Sequence, residues 1–511
     1  MTDETDVPQK PPLDVELLAK IALAISVVLL GARLMIAEEV GFGDAEALYA
    51  VYALFGQATY LDHPGLVGWL GSLFAGANGA LEPVAIHRFT AVAATTLPWL
   101  GGLAARGAGA SWKGVIIAVI SLLIVPELAV GLFAFTPDLP LAAAWLGALG
   151  LAAVALRAEP SSTRAFGATL GAGVCTGLAC ASKVSGVLLA VALIATWAAG
   201  PVRARLRTLS PYAAVVAGAL VTLPMLLRES SLGWPMLQHR LVNTQVGFGP
   251  SLRNLGALIG GQLLYLTPVI AVLVVLLAID LARRARQDPI DRLLFNVTVL
   301  PFGALAVLTI LSRVAEPHWV APAYLGLALH LARRVDQTPS VLGRKLSIAA
   351  VATSLGAIAL VFAVVLFPVL PKVLGKSYEP KYDLINDLYA WKPGAKLVEA
   401  NLQRVHDAGI DDVSVVGPHW IVCAQLQAAL GRKATIGCET PEGDDFQVLH
   451  PRTQWEHNAV LLYVTDDRFP VDMAKAFPNR AVQGVNRIGI RRGGVLVRTI
   501  RVVQLGRMGS S

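Results

Sequence analysis

The chain has 511 residues, 55% of them hydrophobic and only 15% charged, with a mean hydropathy of +0.61. Soluble domains carry about 25% charged residues, so this composition excludes an ordinary soluble protein and points to a polytopic membrane protein. The formal charge of +7 comes without basic tracts or interleaved aromatics, which excludes a nucleic-acid partner.

The N-terminus, MTDETDVPQKPPLD, is polar and acidic and lacks the basic stretch and small-residue cleavage site of a secretory signal. The first apolar run, 15–37, is therefore expected to stay as a spanning helix. Further runs of about 20 apolar residues follow near 85–105, 113–134, 138–157, 165–182, 184–201, 209–227, 255–281, 292–312, 318–333 and 346–370. That gives eleven expected spans; the one at 113–134 is interrupted by Pro126 and the one at 318–333 is short.

With the N-terminus cytoplasmic, the inner loops are ARGAGASWK, RAEPSSTR, PVRARLR, ARRARQDPIDR and ARRVDQTPSVLGRK, and each is rich in Lys and Arg. The outer turns are poor in basic residues: 41–65, the TPD turn at 136–138, Ser182-Lys183, 228–253 and EPHW at 316–319. This asymmetry obeys the positive-inside rule. An odd number of spans puts the C-terminus outside too. The organisation is thus a transmembrane domain over 1–370, with a first outer loop at 38–84, and a soluble outer domain over 371–511.

After Leu370 the pattern is α/β. DLINDLYAWKPGAKLVEANLQRVHDAG and WIVCAQLQAALG have helical periods, whereas DVSVVGP, NAVLLYVTDD and GVLVRTIRVVQL read as strands. Neither G-x-x-x-x-G-K-[ST] nor G-x-G-x-x-G after a strand occurs, which argues against a nucleotide-driven pump and a nucleotide-sugar donor. Cys175 and Cys180 sit in an apolar segment as core residues. Cys423 and Cys438 fall in the soluble domain, where an oxidising compartment would allow them to pair.

The short polar signatures all lie on the outer side. The loop at 41–65 carries Asp44, Glu46 and Asp62, with His63 beside the last and no Lys or Arg. Two amphipathic stretches, AEALYAVYALFGQ and GLVGWLGSLFAGAN, are expected to lie along the membrane surface. There a low dielectric would raise carboxylate pKa values towards those of useful bases. Helix capping is the competing use of Asp44 and Asp62, and of Asp138 after Thr-Pro. Arg88, Asp138, Lys183 and His318 are isolated ionisable residues near helix ends, where charge is expensive unless paired or functional. Snorkelling is the alternative for Lys183, and an interfacial anchor that for His318-Trp319. A basic cluster on this face suits an anionic lipid headgroup such as a phosphate. A nearby carboxylate suits proton abstraction from a hydroxyl.

These motifs resemble the bacterial members of the dolichyl-phosphate-mannose protein mannosyltransferase superfamily (glycosyltransferase family 39 type), which include the lipid A aminoarabinose transferase and have the GT-C fold. The family's first outer loop reads DEAYYW and later DHPP; here Glu46 stands sixteen residues before Asp62, and DHPG departs at Gly65. The helix-two arginine matches Arg88, TPDLPL matches the family's TPDAPL-type turn, Ser182-Lys183 its SK pair, and HWVAPAY its HWPAPAY. PSLRNLGALIGGQLLYLTP and VTDDRFP also resemble family stretches. One departure stands out: the family has adjacent Asp-Glu, whereas this chain has Asp44-Ala45-Glu46.

The resemblance implies a polytopic α-helical GT-C membrane protein with a small periplasmic α/β domain, in a bacterial inner membrane. It implies transfer of a sugar, with inversion, from a polyprenyl-phosphate carrier to lipid A or another envelope glycolipid, or in the alternative to protein, as in O-mannosyltransferases. Asp44 or Glu46 would be the base; Arg88, Lys183 and His318 would hold the donor phosphate; Asp62, His63 and Asp138 would position substrate. The donor, the acceptor and membrane lipids are the implied partners, with no cofactor and no metal. A secondary transporter of an anionic substrate is the rival from another class, but transporters place their charges mid-membrane on broken helices with internal repeats.

Overall fold

The computed structural model describes residues 14–242, 249–312, 316–336, 341–440 and 444–508. Most of the acidic N-terminal stretch, part of the outer loop at 228–253 and part of the basic loop before residue 341 lie outside the described residues.

Asp14 caps α1 (Val15–Glu39) by accepting the Glu16 N–H at 3.1 Å, satisfying one of the free donors at a helix start. Helices α2 (Asp44–Phe55) and α3 (Leu66–Ser72) lie in the first loop, and α4 (Pro83–Gly107) returns through the bundle. Pro126 cuts α5 (Trp112–Ile124) short, and a single π-helical turn, Glu127–Gly131, follows. Then come α6 (Asp138–Arg157), α7 (Thr163–Ser182), α8 (Val187–Trp197), α9 (Ser210–Ser231) and the short α10 (Pro235–Leu241). α11 (Leu252–Leu266), α12 (Pro268–Arg284), α13 (Pro289–Leu311), α14 (Pro322–Arg334) and α15 (Val341–Leu366) complete the bundle.

Helices occupy every expected apolar run, but not as eleven straight spans. Among the described residues, six helices (α1, α6, α7, α9, α13 and α15) are each long and apolar enough to cross a membrane. Two further pairs pass only together. The expected single span at 255–281 is one of them: α11 and α12 meet at 103°. Thr267 adopts φ 67° there and Pro268 follows, so the helix cannot run through. Val28, Leu220 and Val275 are exposed along the bundle, an apolar surface that suits lipid and would be a liability in water.

Polar contacts lock the end of the bundle where α12 meets α13. Asp288 caps α13 by accepting the Ile290 and Asp291 N–H groups at 2.7 and 2.9 Å. Buried His330 lies 2.9 Å from Asp280 and 3.3 Å from Asp291, and Arg333 pairs with both Asp288 and Asp291. The outer motifs lie at the other end.

The C-terminal part begins with α16 (Val369–Leu374) and α17 (Asp387–Asp407) and carries a five-stranded sheet in the order β2-β1-β3-β5-β4. β1 (Val413–Gly417) pairs parallel with β2 (Ile436–Cys438) and β3 (Val460–Thr465). β5 (Val495–Arg507) pairs antiparallel with β3 and with β4 (Arg480–Arg492). Helix α18 (Trp420–Leu430) follows β1, with the short α19 (Asp445–Leu449) and α20 (Met473–Ala476) further on. The helices and strands read from the sequence are present. β2 and β4 are additional. Cys423 and Cys438 form a disulfide, while Cys175 and Cys180 are free.

The first loop packs beneath the C-terminal domain. α2 forms as expected, yet Glu46–Leu54 are all buried, and Phe42, Ala47, Val51 and Tyr52 share one apolar cluster with Val415, Leu426 and Val464. The loop and the C-terminal domain therefore have a common core. Gly41 N–H donates to Leu388 O at 2.6 Å, Gln425 Nε2 to Phe42 O at 2.9 Å and Arg432 N–H to Asn78 O at 2.9 Å.

Gly65, where the family has proline, is explained by this packing. Its N–H donates to Ala58 O at 2.9 Å, and a Cβ there would stand 2.0 Å from Gln57 O. Proline offers no N–H and adds the clash. We expect Gly65→Ala to cost about 3 kcal/mol, the upper end for overpacking, and Gly65→Pro more, read as a lowered thermal unfolding midpoint of the solubilised protein; unchanged midpoints would refute the packing argument.

Candidate active site

The two acids at the start of α2 have separate fates. Glu46, only 7% exposed, accepts the Gly43 N–H on Oε2 at 2.7 Å. Its Oε1 accepts the Phe135 N–H at 2.7 Å and lies 3.1 Å from His87 Nε2. Burial pushes this carboxyl up, but His87 and the two backbone donors outweigh it and hold it below the ordinary value. Glu46 thus joins α2, α4 and the loop before α6.

Asp44 faces the C-terminal domain. Its Oδ2 lies 3.1 Å from Arg468 Nη1; its Oδ1 is buried with no partner in hydrogen-bonding geometry among the described residues, and the Gln425 side-chain amide is close enough to lower the carboxyl's pKa. Arg468 also meets Asp387 at 2.8 Å and Asp466 at 2.8 Å, and Asp387 in turn meets buried Arg498 at 2.9 Å. Three carboxylates thus share two guanidinium groups. Burial holds the Asp44 carboxyl above the usual carboxylate range, although Arg468 pulls the other way.

The remaining outer residues assemble around α6 and α7. Lys183 Nζ lies 2.8 Å from Asp138 Oδ1. The position of Lys183 follows from a helix break: α7 ends at Ser182, Lys183 is extended, and a 3-10 turn runs Val184–Gly186. A Cβ at Gly186 would come 2.3 Å from the Ala179 backbone, so only glycine allows so tight a reversal. Asp138, His318, Thr136 and Glu127 line a cavity of about 180 Å³ whose other walls are mostly apolar. Beside it, Asp62 pairs with Arg240 at 3.0 Å and His239 at 3.4 Å, and Arg240 Nη2 lies 3.3 Å from His63 Nε2. Burial would raise the Asp62 carboxyl, but His239 and Arg240 bring it down to about 2. Burial and Arg240 push the His63 imidazole down to about 3, so it is neutral.

Capping accounts for none of the three aspartates. Asp44 and Asp138 are the first helical residues rather than caps, and the residue before α3 is Gly65. Arg88 is not brought to the cavity. It pairs with Glu38 at 2.6 Å on the rim, 59% exposed, because the inward face of α4 at that level belongs to His87. His318 does line the cavity.

These arrangements can be set beside known proteins. Residues 62–227 match the family model described as dolichyl-phosphate-mannose-protein mannosyltransferase. The whole fold is similar to ArnT from Cupriavidus metallidurans bound to undecaprenyl phosphate, with a TM-score of 0.60 at 15% identity over 96% of this chain and 97% of that one. The chain is a glycosyltransferase of the GT-C fold class. The enzyme is also similar to the same ArnT in the apo state, with a TM-score of 0.59 at 14% identity, over 96% of this chain and 97% of that one. It is similar again to the Archaeoglobus fulgidus oligosaccharyltransferase tethered to an acceptor peptide: TM-score 0.51, 13% identity, 87% of this chain and 69% of that one. No curated protein matches the enzyme by sequence.

Several residues of the site were not singled out in the sequence. Arg468 lies within the VTDDRFP stretch, but its partner is 424 residues away. Arg240 supplies the counter-charge for Asp62. Glu127 is the lone acid of an apolar run, directly after the Pro126 interruption, and that pairing was the available signal.

The lid over the loop is itself titratable. Asp445 accepts the Tyr52 hydroxyl at 2.8 Å and the Leu61 N–H at 2.7 Å. Burial raises Asp445 to about 6 despite these bonds and raises neighbouring Asp444 to about 7. An unfolded aspartate titrates near 3.9, so the folded enzyme binds these protons more tightly. Their contribution to stability is full below about pH 4 and is lost as pH rises through 6 to 7. We expect the thermal midpoint of the solubilised enzyme to fall between pH 5 and 8, with Asp445→Asn flattening the slope; a wild-type midpoint that does not fall would contradict this.

Proposed function

We propose that the enzyme transfers a sugar from a polyprenyl-phosphate carrier to lipid A or another envelope glycolipid, with inversion at the anomeric carbon. We place the reaction at the periplasmic face of a bacterial inner membrane. The observation that carries the reading is the Lys183–Asp138 ion pair beside a cavity lined by Asp138 and His318, at one end of a largely apolar bundle. A largely buried ammonium held by one carboxylate is a ready partner for an incoming phosphate. The basic loops at the other end and the Cys423–Cys438 disulfide support the orientation, since disulfides persist in oxidising compartments.

In this reading Lys183 holds the carrier phosphate and stabilises the charge that builds on it as the glycosidic bond breaks. His318 contributes from the cavity wall, and Asp138 keeps Lys183 in place. Arg88, paired with Glu38 on the exposed rim, is left out of the phosphate-holding set. The acceptor hydroxyl oxygen attacks the anomeric carbon from the face opposite the phosphate. Its proton passes to a carboxylate, and the electron pair of the breaking carbon–oxygen bond leaves with the phosphate. Asp44 is the better base of the two acids. One of its oxygens is without a partner, and burial raises its pKa, whereas both Glu46 oxygens are committed to structural donors. Asp62, His63 and Arg240 form the wall beside the Lys183 site and position the donor.

The test is a reconstituted assay in liposomes with a panel of labelled polyprenyl-phosphate sugars and lipid A as acceptor. Label transferred to the acceptor supports the reading. Label crossing the bilayer still attached to its carrier would make the protein a transporter and overturn it. Lys183→Ala should lower kcat/KM about 10²–10³-fold. Asp44→Asn should lower kcat about 10²–10⁴-fold with little change in thermal midpoint. Glu46→Gln should instead lower the midpoint, because the amide no longer matches all three of its neighbours. Full activity in Asp44→Asn would remove the base assignment.

A further inference from the structure

Glu127 is an acid whose carboxylate oxygens are buried with no partner among the described residues. It is the one ionisable residue in the stretch SLLIVPELAVGLF. Pro126 ends the run of α5, and Glu127 opens the π-helical turn that follows. Single π turns within helices recur at functional sites. Both Glu127 carboxylate oxygens are shut away from solvent, and neither has a hydrogen-bond partner among the described residues. The nearest charges are Asp138 and Lys183, and these two are paired with each other.

The turn is held in place deliberately. Arg33 of α1, 1% exposed, donates from Nε and Nη2 to Ala129 O at 3.2 and 2.6 Å, and from Nη1 to Thr95 Oγ1 at 2.6 Å. A buried guanidinium from another helix thus secures a backbone carbonyl of the turn and leaves the carboxylate beside it unpaired. An unsatisfied buried carboxyl is costly, and local rules are broken in this way chiefly at functional sites.

Glu127 lines the cavity that holds Asp138 and His318. Thr136 lines the same cavity, and its Oγ1 is also buried without a partner. Gly131, at the end of the turn, lines it too, and a Cβ there would meet nothing within 4 Å. Two residues with unmet polar atoms therefore belong to the wall of one mostly apolar cavity, next to the Lys183–Asp138 pair. A small ring bearing several hydroxyls meets those needs; an alkyl chain or a bare phosphate does not.

We propose that Glu127 is a specificity-determining residue that binds hydroxyl groups of the donor sugar while Lys183 holds the phosphate. Thr136 supplies a second contact, and Gly131 leaves room for the ring. This rests on the polyprenyl-phosphate reading above. It adds which end of the donor each residue holds: discrimination between sugars belongs to the π turn, and affinity for the carrier to the α6–α7 pair.

The experiment uses the full-length solubilised enzyme and measures affinity for farnesyl phosphate, farnesyl-phosphate mannose and farnesyl-phosphate arabinose. The wild type should bind at least one sugar-bearing probe more tightly than the bare carrier. Glu127→Ala should weaken that probe about 10–100-fold, as for a lost hydrogen bond to a buried charged group, and leave farnesyl phosphate within about twofold. Glu127→Gln should fall between. Gly131→Val, which fills the space without touching the carboxyl, should act like Glu127→Ala. The ligand-free midpoint of Glu127→Ala should be no lower than that of the wild type, since a purely structural carboxyl would lower it. Equal weakening of bare and sugar-bearing probes, or a wild type that gains nothing from either sugar, overturns the inference. A wild type that does not bind farnesyl phosphate at all overturns the donor reading on which it rests.

Discussion

One buried carboxylate holds the outer half of the molecule together. Glu46 takes the Gly43 N–H at the start of α2, the Phe135 N–H in the loop before α6 and the ring of His87 on α4. Three segments distant in sequence are fixed by a single side chain, in a place where water cannot substitute for a missing partner. Asp44 sits two residues before this junction and Asp138 three residues after Phe135. The positions of both acids, to which we assign functional roles, thus follow from the same set of bonds. The acid that is most completely satisfied is the one that joins these segments, and the acids with unmet oxygens are the ones to which we assign a role in the reaction.

The charges divide the enzyme along its axis. At the end where α12 meets α13, acids and bases are matched in dense clusters around His330 and Arg333, which suits a structural end. At the other end the matching is deliberately incomplete. Asp44 has one oxygen free, Glu127 has two, and the Asp44–Asp387–Asp466 set carries one more negative charge than Arg468 and Arg498 supply. The C-terminal domain is part of this end rather than an appendage. It contributes Arg468 to Asp44 and Asp445 to Tyr52 and Leu61, and it shares its core with α2.

Much of this was legible in the residues. Apolar runs of membrane-spanning length mark the helices because lipid demands them. β1, β3 and β5 were visible as runs of Val, Leu and Ile. β4 escaped because it is a largely exposed strand whose Arg, Asn and Gln side chains break any apolar pattern. The α11–α12 bend escaped because both arms are apolar and the turn depends on the conformation of Thr267. In the site, Lys183, Asp138 and His318 could be read as isolated ionisable residues near helix ends, as could Arg88, and Asp62 and His63 as part of the loop at 41–65. Their partners could not, since Arg240 and Arg468 look like ordinary surface bases until the fold delivers them. Asp44 and Glu46 were indistinguishable in sequence, because what separates them is direction. Residues two apart on a helix point to different sides, and only the neighbours on each side assign a role.

The ion pair between Asp44 and Arg468 spans almost the entire chain. The acid emerges near the beginning of synthesis, whereas its guanidinium partner and β5, which ties that segment into the sheet, come at the end. A nascent enzyme with its bundle already in the bilayer therefore exposes an acid without its counter-charge and a loop without its cover. The surroundings of Asp44 are complete only once Arg468 is in place and β5 has joined the sheet. The order of synthesis is thereby written into the site: α2 is made early, but the surroundings of Asp44 exist only once the C-terminal sheet has closed.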